Sequence, residues 1–329
     1  MLAVAVEKKN AERAKIMLRE KGALLQGYGA KNDEKHVYFP VAKHVILPFP
    51  HSYKQKTFPK KPLGAQSLKA QGLSSFDIVG DIAVLEDRGG GDVKKAAAVL
   101  LKTNPRIKTV LLKTGGRTGE FRVQQVKWLA GARRTKTTHR ESGCAFEVDL
   151  AKAYFSPRLS NERLRVLSKV KNGETVLVPF AGVGPYAILI AKNKKCRVIA
   201  IEKNKDAVAF MRRNAAANRV AVEIVQGDAG IILPRYKADR IIMPLPHGAF
   251  DFLDAALKAA KDGCVIHYYS IGERNNPFEK PLREIMQACE RRKRRFRILE
   301  KKVLLSYSAG RERVVIDFLV RNIIGVIRR

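Results

Sequence analysis

A glycine-containing turn and two acidic residues lie at the ends of three consecutive predicted strands in the second half of the chain. The run FAGVGP at 180–185 separates a predicted strand from a predicted helix, Glu202 ends the next strand, and Asp228 ends the third. Glycine lets a backbone turn sharply and approach a ligand closely, while a helix N-terminus favours negative charge. An acid at the second strand end can accept hydrogen bonds from the ribose hydroxyls. An acid at the third strand end can contact the edge of an adenine. The three strand ends therefore predict a site for an adenosyl ligand.

The turn at 180–185 departs from the dinucleotide-binding pattern G-x-G-x-x-G. After Gly182 and Gly184, the third glycine position is occupied by Ala187. That glycine allows the close helix packing that a pyrophosphate needs, whereas S-adenosylmethionine carries no phosphate. Taken alone, a G-x-G turn is also compatible with a tight turn before a packed helix. Together with the two acids, it favours S-adenosylmethionine as the ligand.

Strands and helices alternate from residue 160 onward, which predicts a parallel sheet with both faces covered. The last two predicted strands are joined by Ala309-Gly310-Arg311, which indicates an antiparallel hairpin at the edge of the sheet. The predicted strands are 174–180, 197–202, 222–228, 238–246, 263–271, 297–308 and 312–320. The predicted fold class is therefore α/β, with a Rossmann-like domain over 156–329.

Two small α+β domains are expected ahead of the Rossmann-like domain. The first covers 1–55. Its predicted elements are a helix and two short strands, at 3–21, 38–42 and 44–49. Residues 56–73 are rich in Lys, Pro, Gly and Gln, and we interpret them as a linker. The second domain covers 74–155 and ends in a predicted hairpin with the turn HRESG at 139–143.

The chain carries a large positive charge. Lys and Arg number 64 against 31 Asp and Glu, which gives a formal net charge of +33 at pH 7. Such a charge repels itself unless a polyanion is nearby, and nucleic acid is the simplest polyanion. The basic residues are dispersed rather than gathered in one tail, which favours a folded basic surface over a disordered arm.

Composition excludes several classes of protein. Hydrophobic residues make up 46% of the chain, enough for an ordinary core, so a disordered chain is excluded. No apolar run reaches the length of about 18 residues that a membrane span needs, and no secretory signal is evident. The four cysteines form no CxxC pair, so we expect no metal site and a reducing, cytoplasmic environment. A monomer is the default expectation.

Two long runs of the sequence are distinctive: RESGCAFEVDLAKAYFSPRLSNERLRV at 140–166 and FAGVGPYAI at 180–188. With the shorter runs FDIVGDIAVL, GEFR, DRIIMPLPHGAFDFLDAA and VIHYYSI, they resemble the archaeal/eukaryotic-type tRNA (guanine-37-N1)-methyltransferase family. The resemblance implies a class I methyltransferase domain that uses S-adenosylmethionine to methylate the guanosine next to the anticodon. It further implies that tRNA is the partner, bound at its anticodon loop and, by the N-terminal domain, at its elbow.

The resemblance also implies roles for single residues. Glu162 matches the general base, since methylation of a ring N1 requires removal of its proton. Arg122, in GEFR, matches the arginine that stabilises the negative charge then developing on O6. The positions that match residues of the acceptor pocket are Tyr154, Arg158 and Pro246. The positions that match cofactor contacts are Arg163, Phe180, Gly182, Gly184, Glu202, Lys203, Asp228, Ala229 and Pro244. Taken by themselves, Glu162 and Arg158 are also spaced for an ion pair on an exposed helix face.

The sequence departs from the family pattern at two places. Pro244, in MPLP at 243–246, stands where the family has an asparagine amide that holds the base edge or the cofactor, and proline lacks that donor. Val178-Pro179 replaces an acidic residue before the glycine turn. Both changes resemble an archaeal subgroup whose members make N1-methylguanosine and in some cases also methylate C7 of 4-demethylwyosine. We therefore expect activity on both substrates.

Two other functions are compatible with the sequence. The related wyosine-pathway enzyme transfers the 3-amino-3-carboxypropyl group of the same cofactor to tRNA position 37 and shares the Phe-Ala-Gly turn. It would release methylthioadenosine, whereas a methyltransferase releases S-adenosylhomocysteine. A non-catalytic tRNA-binding protein is the second alternative, although such a protein would have no use for the acids and the arginine named above.

Overall fold

The computed structural model describes residues 1–25, 28–59, 76–87, 92–118 and 123–323. The chain divides into two compact units, the first formed by Met1–Ser74 and Arg88–Arg106 and the second by Ser75–Asp87 and Ile107–Arg329. Among the described residues the longest helices have 13 residues. None of the helices in these ranges is long and apolar enough to cross a membrane.

A four-stranded sheet forms the core of the first unit. Its strands are β1 (Leu2–Glu7), β2 (Lys31–Asn32), β3 (His36–Pro40) and β4 (His51–Gln55), and the helices of the unit are α1 (Ala11–Glu20) and α2 (Val93–Thr103). The sheet order is β2-β3-β1-β4, and β1 runs antiparallel to both of its neighbours. α1 packs Ala14 and Leu18 into the cluster that holds Val4 and Val6 of β1. The apolar run LAVAV thus lies at the centre of the unit.

Two predictions for the first unit are wrong. The helix predicted over 3–21 begins only at Ala11, because the valine-bearing apolar run before it is buried on both faces as a central strand. The strand predicted over 44–49 is absent, and that segment is irregular. The Tyr53 hydroxyl holds it, accepting from the Val45 amide at 2.6 Å and donating to the Val45 carbonyl at 2.7 Å. The predicted linker at 56–73 lies mostly outside the described residues.

A mixed sheet and a separate hairpin begin the second unit. The strands are β5 (Phe76–Val79), β6 (Ile82–Glu86), β7 (Thr109–Thr118), β8 (Val123–Gly131), β9 (Lys136–Glu141) and β10 (Cys144–Asp149). The sheet order is β5-β6-β7-β8, with only β6 and β7 parallel. The β9–β10 hairpin turns through Ser142 and Gly143, whose φ angles of 47° and 75° are those a type I′ turn requires. The predicted hairpin is therefore confirmed.

A seven-stranded sheet forms the centre of the second unit. Its strands are β11 (Thr175–Pro179), β12 (Arg197–Glu202), β13 (Glu223–Gln226), β14 (Ala238–Met243), β15 (Ala260–Glu273), β16 (Arg294–Ser308) and β17 (Arg311–Asn322). Their order is β13-β12-β11-β14-β15-β17-β16, and β17 runs antiparallel to its neighbours. The predicted parallel sheet with an antiparallel edge hairpin is confirmed. Because the chain leaves β11 on one side and returns on the other, a crevice opens beyond the carboxyl ends of β11 and β14.

Helices cover both faces of this sheet. They are α3 (Ser160–Lys169), α4 (Pro185–Asn193), α5 (Lys205–Ala217), α6 (Ala229–Ile232), α7 (Leu253–Ala259) and α8 (Glu279–Arg291). Val176 and Val178 of β11 pack with α3, α4 and α5, whereas Leu177 between them packs with α7 and α8. Both faces of the strand are therefore apolar, which explains its continuous apolar sequence.

Gly184 allows α4 and α5 to pack at the turn after β11. Its φ is +91°, and a Cβ built on it would lie 2.8 Å from Met211 Cγ and 2.9 Å from Ile188 Cδ1. The space beside this glycine is filled by the two helices. Its role in the described structure is therefore backbone conformation and helix packing.

Gly184→Ala should lower the free energy of unfolding by about 2–4 kcal/mol, because a left-handed backbone and a crowded Cβ both oppose the substitution. Gly173→Ala is the matched control, since Gly173 has a φ of +85° but no atom within 4 Å of a Cβ. The control should lose only about 1 kcal/mol. Chemical denaturation measures both, and equal losses would show that packing around Gly184 contributes nothing.

Candidate active site

A cavity of about 580 Å³ lies beyond the carboxyl ends of the parallel strands. Residues that follow β11, β12, β13 and β14 all contribute to its wall, as expected for a ligand site at the point where the strand order reverses. The predicted site residues that line it are Tyr154, Phe180, Gly182, Glu202, Lys203, Asp228, Ala229, Pro244 and Pro246. The structure therefore brings together most of the positions singled out from the sequence.

The turn after β11 carries three residues in the left-handed region, Gly184 and the two described next. Phe180 has a φ of +57°, which is unusual for a residue with a side chain, and its ring packs edge-on against Phe252 at 4.7 Å between centroids. Gly182 also has a φ of +57°, and a Cβ there would meet only the Tyr154 carbonyl, at 3.6 Å. The Gly182 amide donates to Glu202 Oε2 at 2.7 Å. The turn is thus bound to the end of β12 and leaves open space above Gly182.

Glu202 presents a half-buried carboxylate to the cavity. Its oxygens accept from the Gly182 amide at 2.7 Å and from the Asn204 amide at 2.8 Å. Burial raises the pKa of this carboxyl, and the backbone donors partly oppose the shift. A carboxylate has about four acceptor sites, so further donors can bind to it. A ribose diol offers two such donors.

Asp228 and its neighbours form the part of the cavity beyond β13. One Asp228 oxygen caps α6 by accepting from the Gly230 amide at 2.8 Å, and the other lies 3.3 Å from Lys203 Nζ. Beside them Ala229 and Phe252 give an apolar wall. Apolar walls beside polar edges suit a flat heterocycle, so the residues at these three strand ends fit an adenosyl group.

The segment after β14 offers no hydrogen-bond donor to the cavity at 244–246. Pro244 and Pro246 lack an N–H, and the Leu245 amide donates to the Met243 carbonyl at 2.8 Å. The side chains of these three residues are apolar. This part of the wall can restrict the shape of a ligand but cannot read its acceptors.

Glu162 lies behind the cavity wall rather than in it. Its residue is 5% exposed, and its oxygens accept from Arg165 Nη2 at 2.7 Å and Nε at 2.8 Å. The Tyr269 hydroxyl donates to Glu162 Oε1 at 2.6 Å and lies 3.0 Å from the Tyr186 hydroxyl. Both tyrosines line the cavity. Glu162 is therefore connected to the cavity through two hydroxyl groups.

The directions of these hydrogen bonds follow from chemistry. An ionised carboxylate can only accept, so Tyr269 donates to Glu162, and Tyr186 must then donate to Tyr269. Burial raises the pKa of both phenols, so they stay neutral. Both O–H bonds thus point toward Glu162, and the Tyr186 oxygen is left as an acceptor.

Arg165 links Glu162 to a buried network on the sheet. It donates to Asp317 at 2.6 Å and 3.2 Å, and Asp317 lies 2.7 Å from His267 Nδ1. His267 Nε2 is 2.9 Å from Arg240 Nη1, which can only donate, so Nδ1 carries the imidazole proton. Burial lowers the pKa of His267. Although burial opposes it, hydrogen bonds from His267 and Arg165 hold the pKa of Asp317 well below its usual range.

Three further predicted site residues, Arg158, Arg163 and Gly184, do not line the cavity. Arg163 is buried against Glu141, with bonds of 2.6 Å and 2.7 Å, and does not line the cavity. Arg158 pairs with Asp77 rather than with Glu162, so the alternative of an exposed ion pair between Arg158 and Glu162 is wrong. Gly184 serves helix packing. Arg122 lies outside the described residues.

Sequence reasoning missed the residues that connect Glu162 to the cavity and to the sheet. Tyr186 directly precedes Ala187, which occupies the third glycine position of the dinucleotide-binding pattern. From the sequence it is an ordinary helix residue. Arg165 follows Glu162 by three positions, which is a spacing for a helical ion pair. Asp317 is the lone acid of the apolar run VVIDFLV and was the clearest available signal, since a buried acid requires a partner.

Three family models match the chain. The TRM5/TYW2 methyltransferase domain matches residues 137–299, the tRNA methyltransferase 5 N-terminal domain matches 3–45, and the TYW2 N-terminal domain matches 65–135. The methyltransferase model covers every residue that lines the cavity except Arg313.

Relatives of known function are similar over most of the chain. The tRNA (guanine(37)-N(1))-methyltransferase Trm5b of Pyrococcus abyssi is 35% identical over 97% of this chain and 99% of its own length. Its crystal structure has a TM-score of 0.74 at 33% identity and covers 98% of this chain and 99% of that one. The complex of aTrm5 with tRNALeu has a TM-score of 0.71 at 30% identity over 97% and 99%. The tRNA (guanine(37)-N(1))/4-demethylwyosine(37)-methyltransferase Taw22 of Nanoarchaeum equitans is 33% identical over 64% of this chain and 88% of its length.

Glu202→Gln should weaken the binding of S-adenosylmethionine roughly tenfold to a hundredfold, because a charged acceptor for the ribose hydroxyls is lost. Glu223→Gln is the matched control, since Glu223 lies on neighbouring β13 but pairs with Arg197 at the surface. The control should bind as tightly as the wild type. Calorimetry with S-adenosylmethionine measures all three, and an unchanged affinity of the Glu202 variant would remove Glu202 from the cofactor site.

Proposed function

The chain belongs to the TRM5/TYW2 methyltransferase family, and we propose that it methylates N1 of guanosine 37 in tRNA with S-adenosylmethionine as methyl donor. The observation that carries this proposal is one cavity that joins residues fit for an adenosyl group to two hydroxyls connected with Glu162. Similarity over nearly the full length to the Pyrococcus abyssi enzyme supports N1 of guanosine as the acceptor.

The residues that would hold the cofactor lie at the ends of three strands. Glu202 would accept the ribose hydroxyls, and Ala229 with Phe252 would contact the adenine. Gly182 leaves room for the methionine portion beside the turn. When bound, the cofactor supplies a methyl group on a positively charged sulfur. The protein must then deliver a purine nitrogen with a free lone pair.

Glu162 is the group that would take the N1 proton, through the two tyrosines. The N1 proton passes to the Tyr186 oxygen, Tyr186 gives its own proton to Tyr269, and Tyr269 gives its proton to Glu162. The N–H bond is replaced by an O–H bond on Glu162, which ends neutral while N1 keeps its electron pair. Arg165 retains Asp317 as an ionised partner after this change.

The charge of the chain supports binding of tRNA. A net charge of +33 attracts the phosphates of a nucleic acid. A cavity beyond the strand ends can receive a base only if the base leaves the stack, so we propose that guanosine 37 is extruded into it. The second unit would bind the anticodon loop. The first unit, which matches the tRNA methyltransferase 5 N-terminal domain over 3–45, would bind the tRNA elbow.

The segment 244–246 supports 4-demethylwyosine as a second substrate. It has no free donor with which to select one base edge, since both prolines lack an N–H and the Leu245 amide is already bonded. The partial similarity to the bifunctional Nanoarchaeum equitans enzyme also supports this second substrate.

Mass spectrometry of nucleosides from treated tRNA tests the function. With S-adenosylmethionine, guanosine-37 tRNA should yield N1-methylguanosine, tRNA with adenosine at that position should yield none, and 4-demethylwyosine tRNA should gain one methyl group. The coproduct should be S-adenosylhomocysteine. Methylthioadenosine as coproduct would instead indicate aminocarboxypropyl transfer, and bound but unmodified tRNA would indicate a non-catalytic binder.

Glu162→Gln and Tyr269→Phe should each slow methyl transfer roughly a hundredfold, the usual contribution of a general base, while cofactor and tRNA binding persist. Because both act on one proton path, the double variant should be little slower than either single one. Tyr268→Phe is the matched control, since the Tyr268 hydroxyl bonds Glu284 on the opposite face. Single-turnover rates measure these effects.

A wild-type rate for Tyr269→Phe would show that Glu162 acts without the tyrosine. Multiplied losses in the double variant would show that the two residues act independently. Thermal unfolding of each variant checks that the fold persists, since Glu162 and Tyr269 are both buried.

A further inference from the structure

Arg313 is a buried cation in the cavity wall. Its residue is 8% exposed and lines the same cavity as Glu202 and Tyr269. Its Nε has no hydrogen-bond partner among the described residues, and no carboxylate of those residues pairs with it. The charges beside it are already engaged, because Arg311 pairs with Glu273 and Glu312 with Arg274.

A buried guanidinium N–H that has no acceptor is unfavourable. A guanidinium carries five N–H donors and no acceptor, so only an acceptor from another group can satisfy it. Removing a charge from water without an opposite charge or acceptor destabilises the fold. The Nε–H of Arg313 therefore lacks an acceptor in the ligand-free protein, and a ligand that enters the cavity can supply one.

The register of the sheet locates Arg313 on the acceptor side of the cavity. It lies opposite Ile271 of β15, two residues along β17 from Val315, which lies opposite Tyr269. It therefore shares a sheet face with Tyr269. Three interstrand spacings, about 14 Å, separate β17 from β11. The turn that follows β11 is the one that would contact the cofactor. Tyr269 also lines the cavity, and its hydroxyl lies 3.0 Å from that of Tyr186.

We propose that Arg313 binds the O6 and N7 atoms of the extruded guanine and so holds N1 toward the tyrosine hydroxyls. The proposal rests on the function proposed above. A guanidinium fork matches the two acceptors O6 and N7 of guanine, which are on the edge that does not include N1. The cation would also oppose the negative charge that develops on O6 when N1 loses its proton. Arg313 would therefore contribute both to base selection and to the rate.

Two other acceptors suit Arg313 less well. The methionine carboxylate of the cofactor would lie near the turn after β11, on the far side of β14 and β15. A tRNA phosphate carries its charge on a backbone that stays outside a base pocket, whereas Arg313 is more than nine-tenths buried. The base is the ligand portion that enters the cavity deeply enough.

Replacement of guanosine 37 by 7-deazaguanosine in tRNA tests the contact, because it removes the N7 acceptor alone. The wild type should methylate the 7-deaza tRNA roughly tenfold more slowly, as expected for loss of one arm of a bidentate contact. Arg313→Met should slow the reaction on guanosine at least as much and show no further loss with 7-deazaguanosine. Arg313→Lys, which keeps the charge but not the fork, should also lose the discrimination.

Thermal unfolding of the ligand-free variants gives a second readout. Arg313→Met should raise the melting temperature, because an uncompensated buried charge is removed, whereas a residue with a structural role would lower it. Arg311→Met is the matched control, since Arg311 lies on the same strand, is exposed and pairs with Glu273. The control should retain the wild-type discrimination between the two tRNAs.

Several results would overturn the contact. Discrimination against 7-deazaguanosine that persists in Arg313→Met would place the N7 contact elsewhere. A loss of S-adenosylmethionine affinity in Arg313→Met, measured by calorimetry, would assign Arg313 to the cofactor. Either result, obtained while the wild type still methylates guanosine 37, overturns only this inference. A wild type that forms no N1-methylguanosine would overturn the proposed function as well.

Discussion

The ion pair between Arg165 and Glu162 is the contact on which the rest of the site depends. Both side chains are nearly excluded from water, with exposures of 11% and 4%, and two hydrogen bonds join them. Breaking such a pair leaves a buried charge and costs about 3–5 kcal/mol. Glu162 therefore stays behind the cavity wall, and in the proposed mechanism it would take a proton from a ligand only through a neighbouring hydroxyl. The position of Tyr269 follows from this constraint.

The same interaction connects the helix that carries Glu162 to the central sheet. Arg165 on α3 reaches Asp317 on β17, and Asp317 reaches His267 on β15, which in turn meets Arg240 on β14. A neutral His267 separates the carboxylate of Asp317 from the guanidinium of Arg240 and hydrogen-bonds both. Buried polar groups of this kind specify one arrangement, because each partner satisfies the next. The network thus fixes α3 relative to the strands whose ends form the cavity.

The sequence predicted the part of the site that depends on local pattern and chain order. Glu202 and Asp228 were found because each ends an apolar strand, and parallel strands place such ends side by side. The helix predicted over 3–21 was wrong because the valine-rich run at its start takes a central place in a sheet, which only tertiary contacts decide. The partners of Glu162 were not predictable in the same way. Asp317 lies 152 residues from Arg165, and no local pattern shows that the two meet.

A crystal structure of the protein with S-adenosylhomocysteine and a guanosine-37 anticodon stem-loop would test the central claim most directly. The distance that decides is the one from N1 of the extruded guanine to the Tyr186 oxygen. It should fall within hydrogen-bond reach, about 2.6–3.2 Å, with Tyr269 still bonded to Glu162 and Glu162 still paired with Arg165. A guanine whose N1 contacts Glu162 itself, with Arg165 released and Tyr269 displaced, would contradict the account.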